Sequence, residues 1–164
     1  IARSFHALVD YPIFFSGKRH HYRRYVGLDN VRGFTTLTSV LAEVRQQSGI
    51  ESDIFMKIDI EGWEYRIFDE LIEHGHRFTG LAIELHDVDI HLDKLERFIQ
   101  RFPLKLIHLH ANNYSPINGT GIPLAIECTF SASELDGAPE AVALPHPLDM
   151  PNKRNRAEVA LSFR

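Results

Sequence analysis

Acidic, imidazole and amide side chains fall at the ends of three predicted strands. They are Asp59 and Glu61 after the first strand, Glu84, His86 and Asp87 at the second, and His108, His110, Asn112 and Asn113 at the third. In open α/β sheets, ligands bind beyond the carboxyl ends of the strands. The sequence therefore predicts a polar functional site where these three strand ends meet.

Two of these residues, Asp59 and Glu61, are separated by a single position. If the strand continues that far, both carboxylates project to the same side of it. Such a pair can act in general acid and base catalysis or can hold a cation. The same residue types also suit helix entry, with Asp59 as a cap and Glu61 near the positive N-terminal end. Both interpretations stay open at this point.

The third strand carries His108 and His110, whose spacing places two imidazoles on one strand face. This spacing suits a metal site that His86 or Asp59 would complete. It suits equally two histidines that are hydrogen-bonded within a polar rim. The pair Asn112-Asn113 either orients a polar substrate through its amide groups or forms a turn.

Alternating strands and helices position these residues. Apolar periodicity predicts a helix over residues 39–47, with Thr38 as its N-cap and Gly49 at its end. Further helices are predicted over residues 63–72 and 93–102, and strands over 1–9, 53–60, 81–85, 104–110, 124–130 and 157–163. Residues 132–156 contain prolines and are predicted to be irregular. This alternation indicates right-handed crossovers and a largely parallel sheet, so the predicted class is α/β.

Composition narrows the class of protein. The chain has 164 residues, of which 44% are hydrophobic and 24% charged, which is typical of a single globular domain. Its net charge of −4 gives no broad positive field for nucleic acid. No apolar run reaches the roughly 20 residues that a membrane-spanning helix needs. The single cysteine, Cys128, excludes an internal disulfide and favours the reducing cytoplasm.

A resemblance to a known family lies in Lys57-Ile58-Asp59-Ile60-Glu61-Gly62-Trp63-Glu64-Tyr65. This segment resembles the signature of the FkbM-type methyltransferases, which use S-adenosylmethionine. Residues 83–86, 102–113, 123–130 and 148–152 also resemble parts of that family, so the similarity extends over most of the chain. It implies a Rossmann-like class I methyltransferase sheet, mostly parallel with an antiparallel late strand. Its strand order would be 3-2-1-4-5-7-6, with residues 53–60 as strand 4.

The family's first strand ends in a glycine-rich loop and its second ends in an acidic residue. Neither has a counterpart in this sequence. We therefore expect residues 1–164 to form a single domain that is the carboxyl-terminal portion of a longer methyltransferase domain. Without those neighbours the edge of strand 4 would be open to pairing with another chain, which allows a homodimer.

The resemblance also implies a reaction and a set of roles. A methyl group would move to a hydroxyl of a small-molecule, glycan or lipid acceptor by in-line displacement. The catalytic residues would be Asp59, His86 and Glu61, the cofactor-binding residues Ala7 and Asp59, and the substrate-binding residues Glu84, His110, Asn112 and Asn113. A divalent cation at Asp59 would be another way to make the hydroxyl more acidic.

Two alternatives from other functional classes stay open. One is a non-catalytic α/β module that binds a polar ligand or a partner subunit through the same strand ends. The other is a metal-dependent hydrolase that uses His86, His108 and His110.

Overall fold

A computed structural model describes residues 12–133 and 143–161, so the predicted strand 1–9 lies outside the described residues. The chain order is β1 (Tyr25–Val26), β2 (Phe34–Thr35), α1 (Leu37–Ser48), β3 (Ile54–Ile58), α2 (Phe68–His74), β4 (Phe78–Leu85), α3 (Val88–Arg101), β5 (Lys105–Ala111) and β6 (Ile126–Ser131). Short 3-10 turns at Glu64–Arg66 and Gly75–Arg77 flank α2.

The main sheet has four strands in the order β3-β4-β6-β5. Strands β3 and β4 pair in parallel, whereas β6 is antiparallel to both of its neighbours. Strands β3, β4 and β5 therefore run in one direction, with β6 inserted against them. The short strands β1 and β2 form a separate parallel pair. The protein is an α/β protein with an open mixed sheet, in agreement with the predicted class.

Helix α1 ends where the sequence predicts but begins earlier. Gly49 takes the left-handed conformation, with φ of 73°, as a C-cap glycine does. The N-cap is Thr36, whose hydroxyl accepts a hydrogen bond from Ser39 N at 3.1 Å. The predicted cap Thr38 is wrong: Thr38 is the second residue of the helix, and its backbone N–H donates to the Glu70 carboxylate at 2.7 Å.

Three further predicted elements differ from the structure. The predicted helix over residues 63–72 is divided into a 3-10 turn and α2, and Trp63 precedes both. Helix α3 begins at Val88, five residues before the predicted start, with an N-cap, Asp87, in the left-handed region. Of the predicted last strand, the described residues form only the isolated bridge between Leu144 and Leu161. In the segment 132–156, the described residues 132–133 and 143–156 form no helix or strand apart from the bridge at Leu144, as predicted.

The core lies between the sheet and helices α2 and α3. Phe98 stacks on Phe68 and Phe102, with ring centroids 4.1 and 4.8 Å away, and meets the edge of Phe130 at 5.7 Å. Cys128 is 1% exposed in this core, and burial raises the pKa of its thiol to about 12. A neutral buried thiol packs in the core as a small hydrophobic side chain does. Within the described residues, no helix has the length and apolar character needed to cross a membrane.

Gly75 joins α2 to the turn before β4 at a position where a side chain does not fit. A Cβ atom there would lie 2.4 Å from Cγ of Pro103 and 3.2 Å from the Phe102 ring. Gly75→Ala is therefore expected to lower the free energy of unfolding by about 1–3 kcal/mol, as overpacking does, in urea titrations followed by circular dichroism. Gly119→Ala is the control, since no atom lies within 4 Å of its added Cβ. Equal stability of the two variants would contradict this packing.

Candidate functional site

Four polar side chains meet at the carboxyl ends of β3 and β4. Asp59, Glu84 and His86 each offer an oxygen or nitrogen atom, and these atoms lie within 4.8 Å of one another. Nε2 of His86 is 3.7 Å from Glu61 Oε2 and 3.9 Å from Glu84 Oε1. We call these four residues the β3–β4 rim. The strand ends thus bring together four of the predicted site residues.

The backbone turns sharply after each of the two strands. Glu61 has φ of 55° and Asp87 has φ of 51°, and Gly62 follows Glu61 with φ of 96°. A residue with a side chain rarely adopts this left-handed region, which costs on the order of 1–3 kcal/mol outside glycine. These turns let Glu61 and His86 face each other across the gap between neighbouring strands.

Glu64, which the sequence analysis assigned no role, is the fully buried residue beneath the rim, with an exposed fraction of 0%. Its carboxylate accepts hydrogen bonds from Ile60 N at 3.0 Å and from Gly62 N at 3.1 Å. Oε1 of the same carboxylate is 3.2 Å from Nδ1 of His86. Glu64 therefore ties the turn after β3 to the imidazole that follows β4. Spacing along the chain did not reveal this, because the two residues are 22 positions apart.

Asn112 both forms a turn and orients a rim residue. Its side-chain oxygen accepts a hydrogen bond from Tyr114 N at 2.8 Å, and its amide donates to Glu84 Oε1 at 2.6 Å. Asn112 was interpreted either as a turn residue or as an amide that orients a polar group. Its side-chain oxygen serves the turn and its amide nitrogen orients Glu84. On the other side of the rim, Lys57 Nζ lies 3.6 Å from Asp59 Oδ2.

His108 and His110 belong to a different set of contacts, which holds the segment 143–161 against β5 and β6. His108 Nε2 is 2.8 Å from Asp149 Oδ1. His110 contacts Glu127 through Nδ1 at 3.0 Å and Glu158 through Nε2 at 3.3 Å. Because His110 is 4% exposed, its ring is engaged inside the protein and does not face open solvent.

Asn113 holds the same segment. Its amide donates to the carbonyls of Lys153 and Arg156 at 3.1 and 3.2 Å, and its side-chain oxygen accepts from Lys153 N at 2.7 Å. The side chain is 3% exposed. The structure thus uses His110 and Asn113, two predicted substrate-binding residues, to attach a segment of the chain itself. Ala7, which was predicted to bind the cofactor, lies outside the described residues.

The environment of His110 favours its charged form. Burial by itself lowers the pKa of the imidazole, but hydrogen bonds from its ring to the Glu127 and Glu158 carboxylates outweigh that effect. The pKa of His110 is therefore raised above its ordinary value of 6.5. A positively charged His110 donates one hydrogen bond to each of the two carboxylates, and charge-assisted hydrogen bonds of this kind are stronger than neutral ones.

The three histidines of the hydrolase hypothesis are not brought to one point. Among the described residues, the metal-compatible group of three is Asp59, Glu84 and His86, and it includes neither His108 nor His110. The oxygen and nitrogen atoms of these three side chains are close enough together to accommodate a divalent cation. Exposed carboxylates reach such spacing without an ion as well, so the spacing alone assigns no metal.

An aromatic cavity of about 520 Å³ adjoins the rim. Asp59 and Glu61 line one part of it, and the rings of Tyr25, Phe34 and Trp63 line another. The ring centroids of Tyr25 and Phe34 are 5.6 Å apart, and those of Phe34 and Trp63 are 6.1 Å apart. Trp63 is the first residue of the helix predicted over residues 63–72, and this part of the prediction is wrong: the helix begins only after Trp63, which is 39% exposed.

Comparison with protein-family models, with curated proteins and with solved structures finds no match for this chain.

Proposed function

We propose that this chain belongs to a methyltransferase that acts on a hydroxyl group, and that its own residues bind the methyl donor S-adenosylmethionine. The observation that carries the proposal is the strand order β3-β4-β6-β5, with β6 antiparallel. The resemblance at residues 57–65 implies the order 4-5-7-6 for the last four strands, beginning with the strand that is β3 here. An order in which the last strand is inserted between the two before it is a specific arrangement, and an α/β alternation alone does not imply it.

The position of Asp59 adds support. This residue belongs both to the rim and to the aromatic cavity, so a ligand in the cavity would have its polar end at the carboxylates. Flat aromatic walls suit a heteroaromatic ring such as adenine, and carboxylates suit hydroxyl donors. Methyl transfer needs a donor site and an acceptor site that adjoin, because the methyl donor and the acceptor oxygen must lie in line.

The rim also supplies a proton acceptor. In the proposed reaction the acceptor oxygen forms a bond to the methyl carbon, and the bond from that carbon to sulfur breaks with its electron pair going to sulfur. The hydroxyl proton passes to Nε2 of His86. The imidazolium that results is stabilised by Glu64 at Nδ1 and by Glu61 and Glu84 near Nε2.

Calorimetric titration with S-adenosylhomocysteine, the product of the donor, tests the cofactor assignment. We expect binding in the micromolar range. Asp59→Asn should weaken it about 10–100-fold, which is the loss of one charged hydrogen bond. Asp69→Asn is the matched control, because the Asp69 side chain is 92% exposed and contacts Arg101 away from the rim.

A chain that circular dichroism shows to be folded, but that releases no binding heat at millimolar S-adenosylhomocysteine, would contradict the proposal for these residues. Equal affinity of the Asp59→Asn and Asp69→Asn proteins would instead remove Asp59 from the cofactor site.

A further inference from the structure

The geometry points to Glu64 as a positioning residue that fixes the tautomer of His86, so that in the neutral ring the proton is on Nδ1 and Nε2 faces the rim as a lone pair. The inference extends the proposed function, which it needs only for the use of Nε2 as the proton acceptor. The position of the ring proton itself follows from contacts within the chain.

The first step concerns what Glu64 can do as a hydrogen-bonding group. An ionised carboxylate accepts hydrogen bonds and donates none. Glu64 already accepts the N–H groups of Ile60 and Gly62, and this use requires its oxygens to be acceptors. The atom of His86 that lies 3.2 Å from Glu64 Oε1 must then be the donor of that contact. Nδ1 of His86 therefore carries a proton.

The second step concerns the other ring nitrogen. Its distances to Glu61 Oε2 and Glu84 Oε1, 3.7 and 3.9 Å, are longer than hydrogen bonds. A neutral imidazole has one N–H group, and Nδ1 holds it. In the neutral ring, Nε2 is consequently a lone pair that faces the carboxylates of the rim. Once Nε2 takes up a proton, the same carboxylates stabilise the cation.

Burial makes this arrangement rigid. Glu64 is fully buried, while the His86 side chain keeps 22% of its surface exposed. Two backbone N–H groups in the turn after β3 fix the Glu64 carboxylate. The carboxylate in turn orients the more exposed ring of His86. A hydrogen bond from one ring nitrogen to a fixed carboxylate is a common way for proteins to hold a histidine in a defined tautomer.

Long-range ¹H–¹⁵N correlation spectra of uniformly ¹⁵N-labelled protein report the tautomer of each neutral imidazole directly. The chain has ten histidines, so His86 is assigned from the signals that disappear in His86→Gln. We expect the Nδ1–H form to dominate for His86 in the unsubstituted protein. A dominant Nε2–H form there would overturn the inference without any further variant.

Two substitutions at Glu64 test the cause. Glu64→Ala removes the acceptor, and we expect the Nδ1–H form to lose its dominance. Glu64→Gln keeps the shape of the side chain but leaves one amide oxygen for Ile60 N, Gly62 N and Nδ1 to share, so the Nδ1–H population should fall as well. Glu84→Gln, which alters a carboxylate near Nε2 and not near Nδ1, should leave the tautomer unchanged.

An Nδ1–H population that is the same in folded Glu64→Gln as in the unsubstituted protein would show that Glu64 does not set the tautomer. Because the spectra are recorded without ligand, their outcome is independent of S-adenosylhomocysteine binding. A protein with the expected tautomer but no cofactor binding would refute the proposed function and leave the positioning role of Glu64 intact.

Discussion

Replacing Phe98 with alanine is expected to lower the free energy of unfolding by about 3–5 kcal/mol, the usual cost of removing a buried aromatic side chain. Phe98 is 1% exposed and contacts three other phenylalanine rings, so its removal leaves a cavity in contact with both α2 and the sheet. Those neighbours come from α2, from the end of α3 and from β6, which limits how far the site can collapse. Equilibrium unfolding in urea, followed by circular dichroism, measures the change.

Ile90→Ala is the matched control for this experiment. Ile90 lies on the same helix, α3, but is 72% exposed, so its truncation should change the free energy of unfolding by no more than about 0.5 kcal/mol. Similar losses for Phe98→Ala and Ile90→Ala would mean that the aromatic cluster does not hold α3 to the sheet.

Raising the pH is expected to loosen the segment 143–161. Charged His110 donates to Glu127 through one ring nitrogen and to Glu158 through the other. Neutral His110 has a single N–H group, so one of the two carboxylates then faces a lone pair. Asp149, which His108 also contacts, adds a negative charge nearby that favours the charged ring.

The sign of the effect follows from the raised pKa of His110. Its stabilising contribution is fully present below 6.5, the ordinary value, and is lost as the pH rises through the higher value in the folded protein. Loss of one charged hydrogen bond corresponds to roughly 10–100-fold faster opening. Hydrogen exchange at the amide of Lys153, whose N–H donates to Asn113, measures it after correction for the intrinsic pH dependence of exchange.

His110→Gln provides the comparison for that measurement. Glutamine does not titrate, so the corrected exchange rate should depend less on pH in this variant than in the unsubstituted protein. His108→Gln, which removes the contact with Asp149 and the ring contact with His146 but leaves His110 in place, should keep the dependence on pH. A corrected rate that is constant with pH in the unsubstituted protein would contradict the role of His110.

Local patterns predicted the elements better than their boundaries. Gly49 ended α1 as expected because a left-handed C-cap is a property of the residue itself. The start of α3 was missed because Val88 is buried whereas Ile90 and Leu92 are exposed, so the first turn carries no regular apolar stripe. Trp63 was misplaced for a related reason: its hydrophobicity fits a core position, but the chain is still turning there.

The prediction of the functional site was also correct for some residues and not for others. The rule for strand ends brought Asp59, Glu84 and His86 together, since parallel neighbours β3 and β4 end at the same edge. It failed to separate these residues from His108 and His110, whose partners Asp149 and Glu158 lie 41 and 48 positions away in a segment without regular structure. Contacts of this kind depend on how the chain returns to the sheet, and no local periodicity encodes that return.

The left-handed backbone at Glu61 has a consequence for engineering. Glycine would occupy φ of 55° with less strain, and the Glu61 side chain is 86% exposed, so a screen for thermal resistance alone would tend to accumulate glycine at this position. Such a protein would gain melting temperature while losing a negative charge beside Nε2 of His86. Libraries built to improve the durability of this fold should therefore keep position 61 fixed, because stability and chemistry select different residues there.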